Sequence, residues 1–388
     1  MDVHNIYEGE VTIEVPDFEK VSSKAPVFYN PVMQLNRDMS IVVINQYRKL
    51  LDHDISICDA FGGTGIRGVR YAKEIEGVTD VTICDVNPLA IDIANKNIML
   101  NNLDNVETLK NDANIVLHSN KGLFDVIDID PFGSPSKYTQ ATAANIRPGG
   151  LICITATDTS ALCGTYHDPC YRKYSAKPLK TAYCHENGIR ILIAHVARNL
   201  AIHQKYLHVL FSHSTEHYMR FYATIDNGGK RTNRSLNNIG FITNCSHCLE
   251  YNTHHGYGPF MDDKCPICDN TLEVAGPMWL GNIIDKDFLK NMIESLDDLK
   301  LNTKEEINEL LLKCFDEADG SIGFYDIHKI CKVLKISSPK FQDVMDAIKD
   351  HGYFISRTHF KPTGMKTNMP LAEIKDLIIK IRKENYSE

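Results

Sequence analysis

Residues 55–68 read ISICDAFGGTGIRG, and this stretch decides the fold. A short apolar run ends at Asp59 and is followed by glycines and then by a helix-forming segment. Gly63, Gly65 and Gly68 have the spacing G-x-G-x-x-G, which closes a strand-to-helix turn around a nucleotide-like ligand. The stretch therefore predicts the first strand, loop and helix of a doubly wound α/β sheet.

Strand-like and helical segments continue to alternate from residue 55 to residue 158, which favours a parallel sheet. A long helix is predicted at about 188–204. Two β-rich runs follow at 206–214 and 218–226, and their short connection suits an antiparallel pair. A parallel sheet that ends in an antiparallel hairpin is typical of class I methyltransferases, so the predicted fold class is a Rossmann-like α/β fold of that kind.

Two further acids stand where the next strands are expected to end. Asp85 follows the glycines by about 20 residues, where a carboxylate can bind a ribose hydroxyl pair. Asp112 and the backbone of Ala113 can contact an adenine ring. Asp59 would repel a pyrophosphate but suits an ammonium group. The three acids favour S-adenosylmethionine over a nicotinamide dinucleotide, although the glycine spacing alone allows both.

The fourth predicted strand ends in Asp130-Pro131-Phe132-Gly133, at the edge where open α/β sheets carry their chemistry. Amino-group methyltransferases have a motif there of Asp, Asn or Ser followed by Pro-Pro and an aromatic residue. An exocyclic amine is a poor nucleophile, and a carboxylate that accepts its N–H can activate it and take a proton. Asp130, helped by the Pro131 carbonyl, is the candidate catalytic group. The four residues also suit an ordinary tight turn.

Segments along most of the chain resemble the archaeal and eukaryotic tRNA guanine-N2 dimethyltransferase family. Each segment alone is unspecific, but their combination is specific. The matching segments are VFYNPVMQLNRDMS (27–40), DAFGGTGIRGVRY (59–71), CDVNPLA (84–90), DPFGSP (130–135), CGTYHDPCYRKYSAKPLKTAYCHENGIRIL (163–192), GPMWLG (276–281) and SRTHFKPTGMKT (356–367).

This resemblance implies methylation of the guanosine at tRNA position 26, once and then twice, on N2. It implies that Asp130 is the catalytic carboxylate and that Phe132 and Phe28 clamp the guanine, although both rings also suit core packing. Phe132 departs from the wider motif, which has proline there, so the clamp geometry cannot be copied from it. The resemblance also implies contacts to the cofactor. Arg37 and Arg67 are expected to bind its methionine carboxylate, and Asp85, Asp112 and Ala113 its ribose and adenine.

The basic, Gly/Asn-rich segment 226–238 predicts a linker between two domains. We assign 1–235 to the cofactor-binding domain with an N-terminal extension and 236–388 to a C-terminal α+β domain that binds tRNA. Within the latter, about 303–370 is predicted to be winged-helix-like, with a hairpin wing at 352–367. Deletion of 241–388 should then weaken tRNA binding and spare cofactor binding.

Four of the twelve cysteines form two Cys-x-x-Cys pairs separated by 16 residues, within a predicted zinc module at about 241–276. This spacing predicts a tetrahedral, structural zinc site formed by four thiolates. Substitution by a nearby histidine, an iron–sulfur cluster, free thiols and a redox-active pair are alternatives. The predicted ligands are Cys245, Cys248, Cys265 and Cys268.

Three basic clusters are candidate tRNA contacts, because cations beside aromatic residues suit phosphates and bases. Each alone equally suits a solvated surface. The first cluster is interleaved with Tyr171 and Tyr174, the second lies in the predicted linker and the third in the predicted wing. Their members are Arg172, Lys173, Lys177 and Lys180, then Lys230, Arg231 and Arg234, then Arg357, Lys361 and Lys366.

The chain of 388 residues has a formal net charge of −8, which is unusual for a nucleic-acid binder. Residues 285–319 hold 11 acids and 5 bases, a net of −6, so the remainder is near −2 and basic patches remain available. We see no signal peptide and no run of about 18 apolar residues. We expect a cytoplasmic monomer.

Two other functions remain as alternatives to the interpretation of the chain as a tRNA guanine-N2 methyltransferase. An amino-methyltransferase acting on another RNA or DNA base is separated from it only by the family resemblance. A non-catalytic RNA-binding protein predicts eroded cofactor and catalytic acids, yet all four acids are present: Asp59, Asp85, Asp112 and Asp130.

Overall fold

A computed structural model describes residues 2–17, 26–119, 122 and 124–385 of the chain. The chain begins with an antiparallel hairpin that the sequence analysis did not predict, formed by β1 (Val3–Glu8) and β2 (Val11–Pro16). The backbone carbonyl and amide groups of β2 bond to the side chains of Asn97 and Asn101. The hairpin is thereby fixed to the helix that carries both asparagines.

A seven-stranded sheet follows. Its strands are β3 (Ile55–Asp59), β4 (Val78–Asp85), β5 (Val106–Lys110), β6 (Val126–Ile129), β7 (Leu151–Ala156), β8 (Lys205–Thr215) and β9 (Tyr218–Asn227). The strand order is β5-β4-β3-β6-β7-β9-β8; β3 to β7 and β8 run in the same direction, and β9, between β7 and β8, runs antiparallel to both neighbours. This arrangement confirms the predicted class I methyltransferase fold.

Nine α-helices lie among the described residues up to 236, and five of them, α1, α4, α6, α7 and α9, were not predicted. Asn87 begins α3 by accepting a hydrogen bond from Leu89 N at 3.0 Å, with Pro88 at the first helical position. The helices are α1 (Gln34–Arg48), α2 (Ile66–Glu74), α3 (Pro88–Leu100), α4 (Ala113–Ser119), α5 (Thr139–Asn145), α6 (Thr159–Leu162), α7 (His167–Tyr174), α8 (Cys184–Ile202) and α9 (Gly229–Leu236).

The prediction of a linker at 226–238 was wrong. The segment contains the end of β9 and the whole of α9. Gly228 has φ of 143°, which suits glycine and turns the chain sharply into the helix. Thr232 is buried and its hydroxyl donates to the Gly228 carbonyl at 3.1 Å. The glycines therefore mark a turn rather than a flexible connection.

The C-terminal part contains two three-stranded sheets, ordered β11-β10-β12 and β13-β15-β14. Antiparallel β14 and β15 form the expected hairpin wing after α13. The elements are β10 (Ile239–Asn244), β11 (Tyr251–His255), β12 (Glu273–Trp279), α10 (Lys286–Glu294), α11 (Lys304–Glu317), β13 (Tyr325–Asp326), α12 (Ile327–Leu334), α13 (Phe341–Asp350), β14 (Ile355–Thr358), β15 (Lys361–Thr367) and α14 (Leu371–Asn385).

One apolar core runs across the predicted domain boundary at 235/236. It contains strand residues of the large sheet together with Trp279, Leu311 and Phe324 of the C-terminal part. A second, smaller core lies among α12, α13 and α14. Buried polar contacts also cross the boundary, since Arg190 donates to the Trp279 carbonyl at 3.0 Å and Thr303 to Asp38 at 2.8 Å. The two parts therefore share buried surface, and the position of the domain boundary stays a prediction.

Candidate active site

The glycine loop lies at the carboxyl end of β3, where the main chain turns into α2. Gly63 and Gly65 have φ values of 53° and 77°, which side-chain-bearing residues rarely adopt. A Cβ on Gly63 would lie 2.9 Å from the Phe28 carbonyl oxygen, and one on Gly65 would lie 2.9 Å from the Ala94 Cβ. The loop therefore needs glycine for its conformation and for close packing.

Asp59 is buried beneath this loop and holds its backbone. One carboxylate oxygen accepts from Phe61 N at 3.4 Å and the other from Gly68 N at 3.1 Å. Burial and the neighbouring Asp128 carboxylate raise the pKa of Asp59 to about 7. A positively charged group beside Asp59 would favour the ionised form. This agrees with the predicted ammonium contact but does not test it.

Asp85 and Asp112 stand at the ends of β4 and β5, as their spacing predicted. Asp85 accepts from Gly63 N and Asn87 N, both at 2.9 Å, and is half-buried. Asp112 accepts from Asn114 N at 2.8 Å at the start of α4, whose first residue is Ala113. The Ala113 amide therefore belongs to the free N-terminal turn of a helix. These side chains line the same edge of the sheet as the glycine loop.

Asp130 follows β6 directly and is held by Arg67 of α2. Arg67 Nη2 bonds to Asp130 Oδ2 and also donates to Asn36 Oδ1 at 2.6 Å, while Nη1 donates to the Ser40 hydroxyl at 3.2 Å. Asp130 Oδ1 accepts no hydrogen bond from the residues that the structure describes. The Asp130 side chain is 16% exposed, so this second oxygen can meet a substrate at the protein surface.

A buried ionic network that the sequence analysis missed lies behind Asp130. Asp128 accepts two hydrogen bonds from Arg220 Nη2, at 2.9 and 3.0 Å, and one from the Tyr71 hydroxyl at 2.5 Å. Arg67 Nη1 is 3.7 Å from Asp128 Oδ2. Burial raises the pKa of Asp128, but Arg220 and Arg67 outweigh it and hold the pKa below its usual value. Arg67 thus lies between two carboxylates, Asp128 and Asp130.

Arg37 is turned toward the N-terminal hairpin. Its Nε and Nη2 each bond to a different oxygen of Glu8 at 2.6 Å, and Nη1 donates to the Asn30 carbonyl at 3.0 Å. The guanidinium is buried, so a ligand carboxylate would have to use the hydrogens that remain on Nη1 and Nη2. The predicted cofactor contact at Arg37 stays a prediction.

Phe28 and Phe132 meet beside the catalytic loop. Their ring centroids are 4.2 Å apart at an interplanar angle of 77°. Phe132 is 56% exposed and Phe28 is half-buried, so Phe132 is not a core residue, whereas Pro131 is buried. Gly133 N donates to the Thr157 hydroxyl at 2.8 Å, which fixes the loop to the end of β7. The two aromatic residues that were assigned to a base clamp are therefore neighbours.

The four paired cysteines converge in the C-terminal part. Their Sγ atoms all lie within 4.8 Å of one another, with 3.5 Å between Cys245 and Cys268 and between Cys248 and Cys265. The two Cys-x-x-Cys turns repeat one hydrogen-bond pattern. Cys245 N donates to the Glu250 carbonyl and Cys265 N to the Asn270 carbonyl, both at 2.8 Å. Thiols around a tetrahedral zinc lie about 3.8 Å apart, so the cluster fits the ion.

The predicted tRNA contacts differ in accessibility. Lys366 contradicts the expectation, because it is buried and its ammonium group bonds to Glu186 Oε2 at 2.9 Å and to the Ser321 carbonyl at 3.0 Å. Tyr174 is also buried. Lys173, Arg231 and Lys361 are paired with acids but remain partly accessible. The exposed remainder is Arg172, Lys177, Lys180, Lys230, Arg234 and Arg357.

Comparisons with known proteins agree over nearly the whole chain. Residues 9–379 match the family described as N2,N2-dimethylguanosine tRNA methyltransferase. A chain from Methanosphaera stadtmanae named tRNA (guanine(26)-N(2))-dimethyltransferase is 68% identical over 384 residues, covering 99% of this chain and 98% of the relative. A chain of the same name from Methanobrevibacter smithii is 48% identical over 383 residues, covering 99% of both.

A solved structure also matches over nearly the full length. It is described as the complex structure of Trm1 from Pyrococcus horikoshii with S-adenosyl-L-methionine, and it superposes with a TM-score of 0.87 at 31% identity. The alignment covers 97% of this chain and 99% of the other. None of the helices in the described part of the chain combines the length and the apolar composition that a membrane span requires.

Proposed function

The chain belongs to the N2,N2-dimethylguanosine tRNA methyltransferase family, and on that premise we propose which of its residues carry the reaction. It transfers methyl groups from S-adenosylmethionine to the exocyclic N2 of guanosine 26 in tRNA, giving first the monomethyl and then the dimethyl nucleoside. The observation that supports this best is Asp130, which has one oxygen held by Arg67 and the other without a partner among the described residues, in the same loop as Phe132.

Asp130 Oδ1 accepts an N–H of the guanine amine. This contact draws the lone pair toward the amine nitrogen and gives the departing proton an acceptor. The amine has two hydrogens, so the same contact can form again after the first methyl is added. It cannot form after the second, because no N–H remains. A single carboxylate thus accounts for two transfers and for the end of the reaction.

Phe132 and Phe28 hold the base beside Asp130. A flat guanine can lie against the exposed Phe132 ring, which restricts the amine to an orientation suitable for in-line attack. Extrusion of the base from its stack is required for this contact, since Asp130 is only slightly exposed. The phenylalanines thereby offset part of the cost of unstacking.

The cofactor supplies an electrophilic methyl group on its sulfonium when bound. The fit of the chain to the cofactor rests on the glycine turn of Gly63 and Gly65 at the end of β3 and on the acids at successive strand ends. Asp85 binds the ribose hydroxyls, and Asp112 with the Ala113 amide binds the adenine. Asp59 attracts the ammonium group. Arg37 contacts the methionine carboxylate through its remaining hydrogens. Arg67 was assigned to the same carboxylate, but both of its Nη2 hydrogens are taken by Asp130 and Asn36, so we assign it to positioning Asp130 instead.

We further propose that Cys245, Cys248, Cys265 and Cys268 bind one structural zinc ion. The closed set of four sulfur atoms leaves no position for a substrate. Metal analysis of the purified protein should give one zinc per chain, and Cys245→Ser should lower that content and the melting temperature. Cys331→Ser, a buried cysteine outside the cluster, is the control. Full zinc content in Cys245→Ser would contradict the assignment.

The function is tested with labelled S-adenosylmethionine and an unmodified tRNA transcript, followed by nucleoside analysis. Label is expected in N2-methylguanosine and then in N2,N2-dimethylguanosine. A matched transcript with adenosine at position 26 should remain unlabelled. Label on another base, or equal labelling of both transcripts, would overturn the proposal in favour of another nucleic-acid amine. The monomeric state stays a prediction.

A further inference from the structure

A cleft lies where the C-terminal part meets the segment that precedes α8, and none of the proposed cofactor-binding residues lines it. It has a volume of about 520 Å³ and opens between α12, the first Cys-x-x-Cys turn and the segment that precedes α8. We call it the α12 cleft. Lys180, Lys329, Lys332 and Lys335 line it. Of these residues only Lys180 belonged to a cluster that the sequence analysis selected.

The α12 cleft is electropositive. No ion pair involves any of its four lysines in the part of the chain that the structure describes. Two acids also line it, but Asp326 is already paired with Lys361 at 2.6 Å, which leaves Glu273 as the other negative charge. A cleft with this balance attracts polyanions, in a chain whose overall charge is −8.

The neighbouring helix has the opposite charge. In helix–helix–wing proteins the second helix commonly enters a nucleic-acid groove. Here that helix is α13, with the sequence FQDVMDAIKD, which contains three aspartates and one lysine. By contrast α12, with the sequence IHKICKVL, contains two lysines and no acid. The charges therefore favour α12, and disfavour α13, as the surface that faces phosphates.

Aromatic rings form one wall of the α12 cleft. Tyr251 and Tyr325 are half-buried, and their ring centroids are 5.3 Å apart. The Tyr183 ring packs 5.0 Å from that of Tyr251 but is itself buried, so Tyr251 and Tyr325 are the two rings that a base could contact. Rings beside lysines suit unpaired bases as well as phosphates, because bases stack on aromatic faces. An acidic protein surface, which has no bases to stack, would not require these rings.

The α12 cleft is connected to the catalytic loop through one segment of chain. Ser134, next to the catalytic loop, donates to the Tyr174 hydroxyl at 2.8 Å, and Tyr174 donates to Asp158 at 2.7 Å. From Tyr174 the chain passes the exposed Lys177, whose amide bonds to the Gly276 carbonyl at 2.8 Å, and reaches Lys180 at the cleft. The segment between Tyr174 and the α12 cleft therefore carries two exposed lysines, Lys177 and Lys180.

We propose that the α12 cleft binds a part of the tRNA remote from the methylated guanosine, with Lys329, Lys332 and Lys335 on phosphates and Tyr251 or Tyr325 against a base. This inference rests on the proposed function, because it takes tRNA as the substrate. The α12 cleft anchors the RNA body, while the catalytic edge acts on one base.

The test compares two double charge reversals in the full-length protein. Lys332→Glu/Lys335→Glu changes the α12 cleft, and Lys349→Glu/Lys380→Glu changes two exposed lysines of α13 and α14 outside it. Binding of unmodified tRNA is measured from 50 to 200 mM salt. The cleft variant should bind at least tenfold more weakly at low salt. The slope of log affinity against log salt should decrease by about one for each lysine that contacts a phosphate.

Cofactor affinity, melting temperature and kcat at saturating tRNA should match the control variant, while KM for tRNA rises. Equal tRNA affinity and salt slope in the two variants would overturn the inference. It would favour an acidic protein as the partner of these lysines. If the wild-type protein binds tRNA but forms no dimethylguanosine, the proposed function fails. The comparison of the variants then still tests whether the α12 cleft binds tRNA. If the wild-type protein binds no tRNA, both fail.

Discussion

The cofactor half and the catalytic half of the same sheet edge are built in different ways. In the cofactor half, Asp85 and Asp112 accept hydrogen bonds from amides of their own loops or of the adjacent glycine loop. In the catalytic half, Asp130 is held by Arg67, 63 residues away, and Asp128 by Arg220, 92 residues away. The first half depends on local backbone geometry, whereas the second depends on buried ion pairs between distant segments.

This difference predicts how each half responds to substitution. Loss of a backbone-bonded acid should weaken cofactor binding and leave chemistry intact at saturation. Loss of a member of the ion-pair network should leave the cofactor bound but displace the reacting groups, because a misplaced catalytic group costs far more in rate than in affinity. Four substitutions separate these outcomes.

Asp130→Asn should have the largest effect. The amide keeps the size of the side chain but cannot take a proton, so kcat should fall about 10³-fold. The dissociation constant for S-adenosylmethionine, measured by calorimetry, should change less than threefold. A rate within tenfold of wild type would remove Asp130 from the chemistry.

Arg67→Lys should have the second largest effect. Lysine keeps the charge but cannot reach Asp130, Asn36 and Ser40 together, so we expect kcat to fall about 10- to 100-fold at saturating cofactor. Arg70→Lys is the matched control, since Arg70 is a buried arginine of the same helix that bonds instead to Glu8, Asp38 and Glu74. An equal loss of kcat in both variants would indicate general damage to α2.

Asp85→Ala tests the cofactor half. If the Asp85 carboxylate binds the two ribose hydroxyls as we propose, its removal should raise KM for S-adenosylmethionine about 10- to 100-fold, with kcat nearly unchanged. Asp80→Ala, an exposed acid on the same strand, should change neither value. A fall in kcat with constant KM for Asp85→Ala would place Asp85 in the catalytic half instead.

Asp59 should give the smallest effect, seen as a pH dependence. Its pKa is raised to about 7 by burial and by Asp128, so the carboxyl is largely protonated below that pH in the cofactor-free protein. If it pairs with the cofactor ammonium, affinity should rise a few-fold from pH 6 to pH 8. Asp59→Asn should flatten that rise.

The Asp59 carboxyl affects folding stability with a pH dependence opposite to its effect on cofactor affinity. The folded protein holds the Asp59 proton more tightly than the unfolded chain does, so its contribution to the free energy of unfolding is present at acidic pH. That contribution is lost as the pH rises toward about 7. The difference in free energy of unfolding between wild type and Asp59→Asn, measured by chemical denaturation at several pH values, should show this loss. A difference that grows with pH would contradict the raised pKa.

The sequence predicted the parts of the molecule whose partners are near in the chain. The glycine loop, the strand-end acids and the Cys-x-x-Cys pairs each have a fixed spacing because local geometry requires it. The helix α9 was taken for a linker because Gly228 and Gly229 resemble a flexible segment, although they form a sharp turn. A role for Asp128 in the site could have been predicted, because Asp128 and Asp130 are two residues apart and alternate residues of a strand point to the same face.

The ion pairs could not be predicted, because no spacing rule connects Glu8 with Arg37 or Asp128 with Arg220. Burial of Lys366 on Glu186 followed from the same kind of long-range pairing. The apolar core shared by the two parts also changes one expected experiment. Deletion of 241–388 would expose that core, so a truncated chain is expected to unfold rather than to retain cofactor binding. Point substitutions are therefore the better tests.

The central claim is that Arg67 acts through Asp130, and a double-mutant cycle of single-turnover methyl transfer tests it most directly. Wild type, Arg67→Lys, Asp130→Asn and the double variant are compared at saturating S-adenosylmethionine and tRNA. We predict that the double variant is no slower than Asp130→Asn alone, because Arg67 has nothing left to orient. Rate losses that multiply would contradict the claim and give Arg67 an independent role.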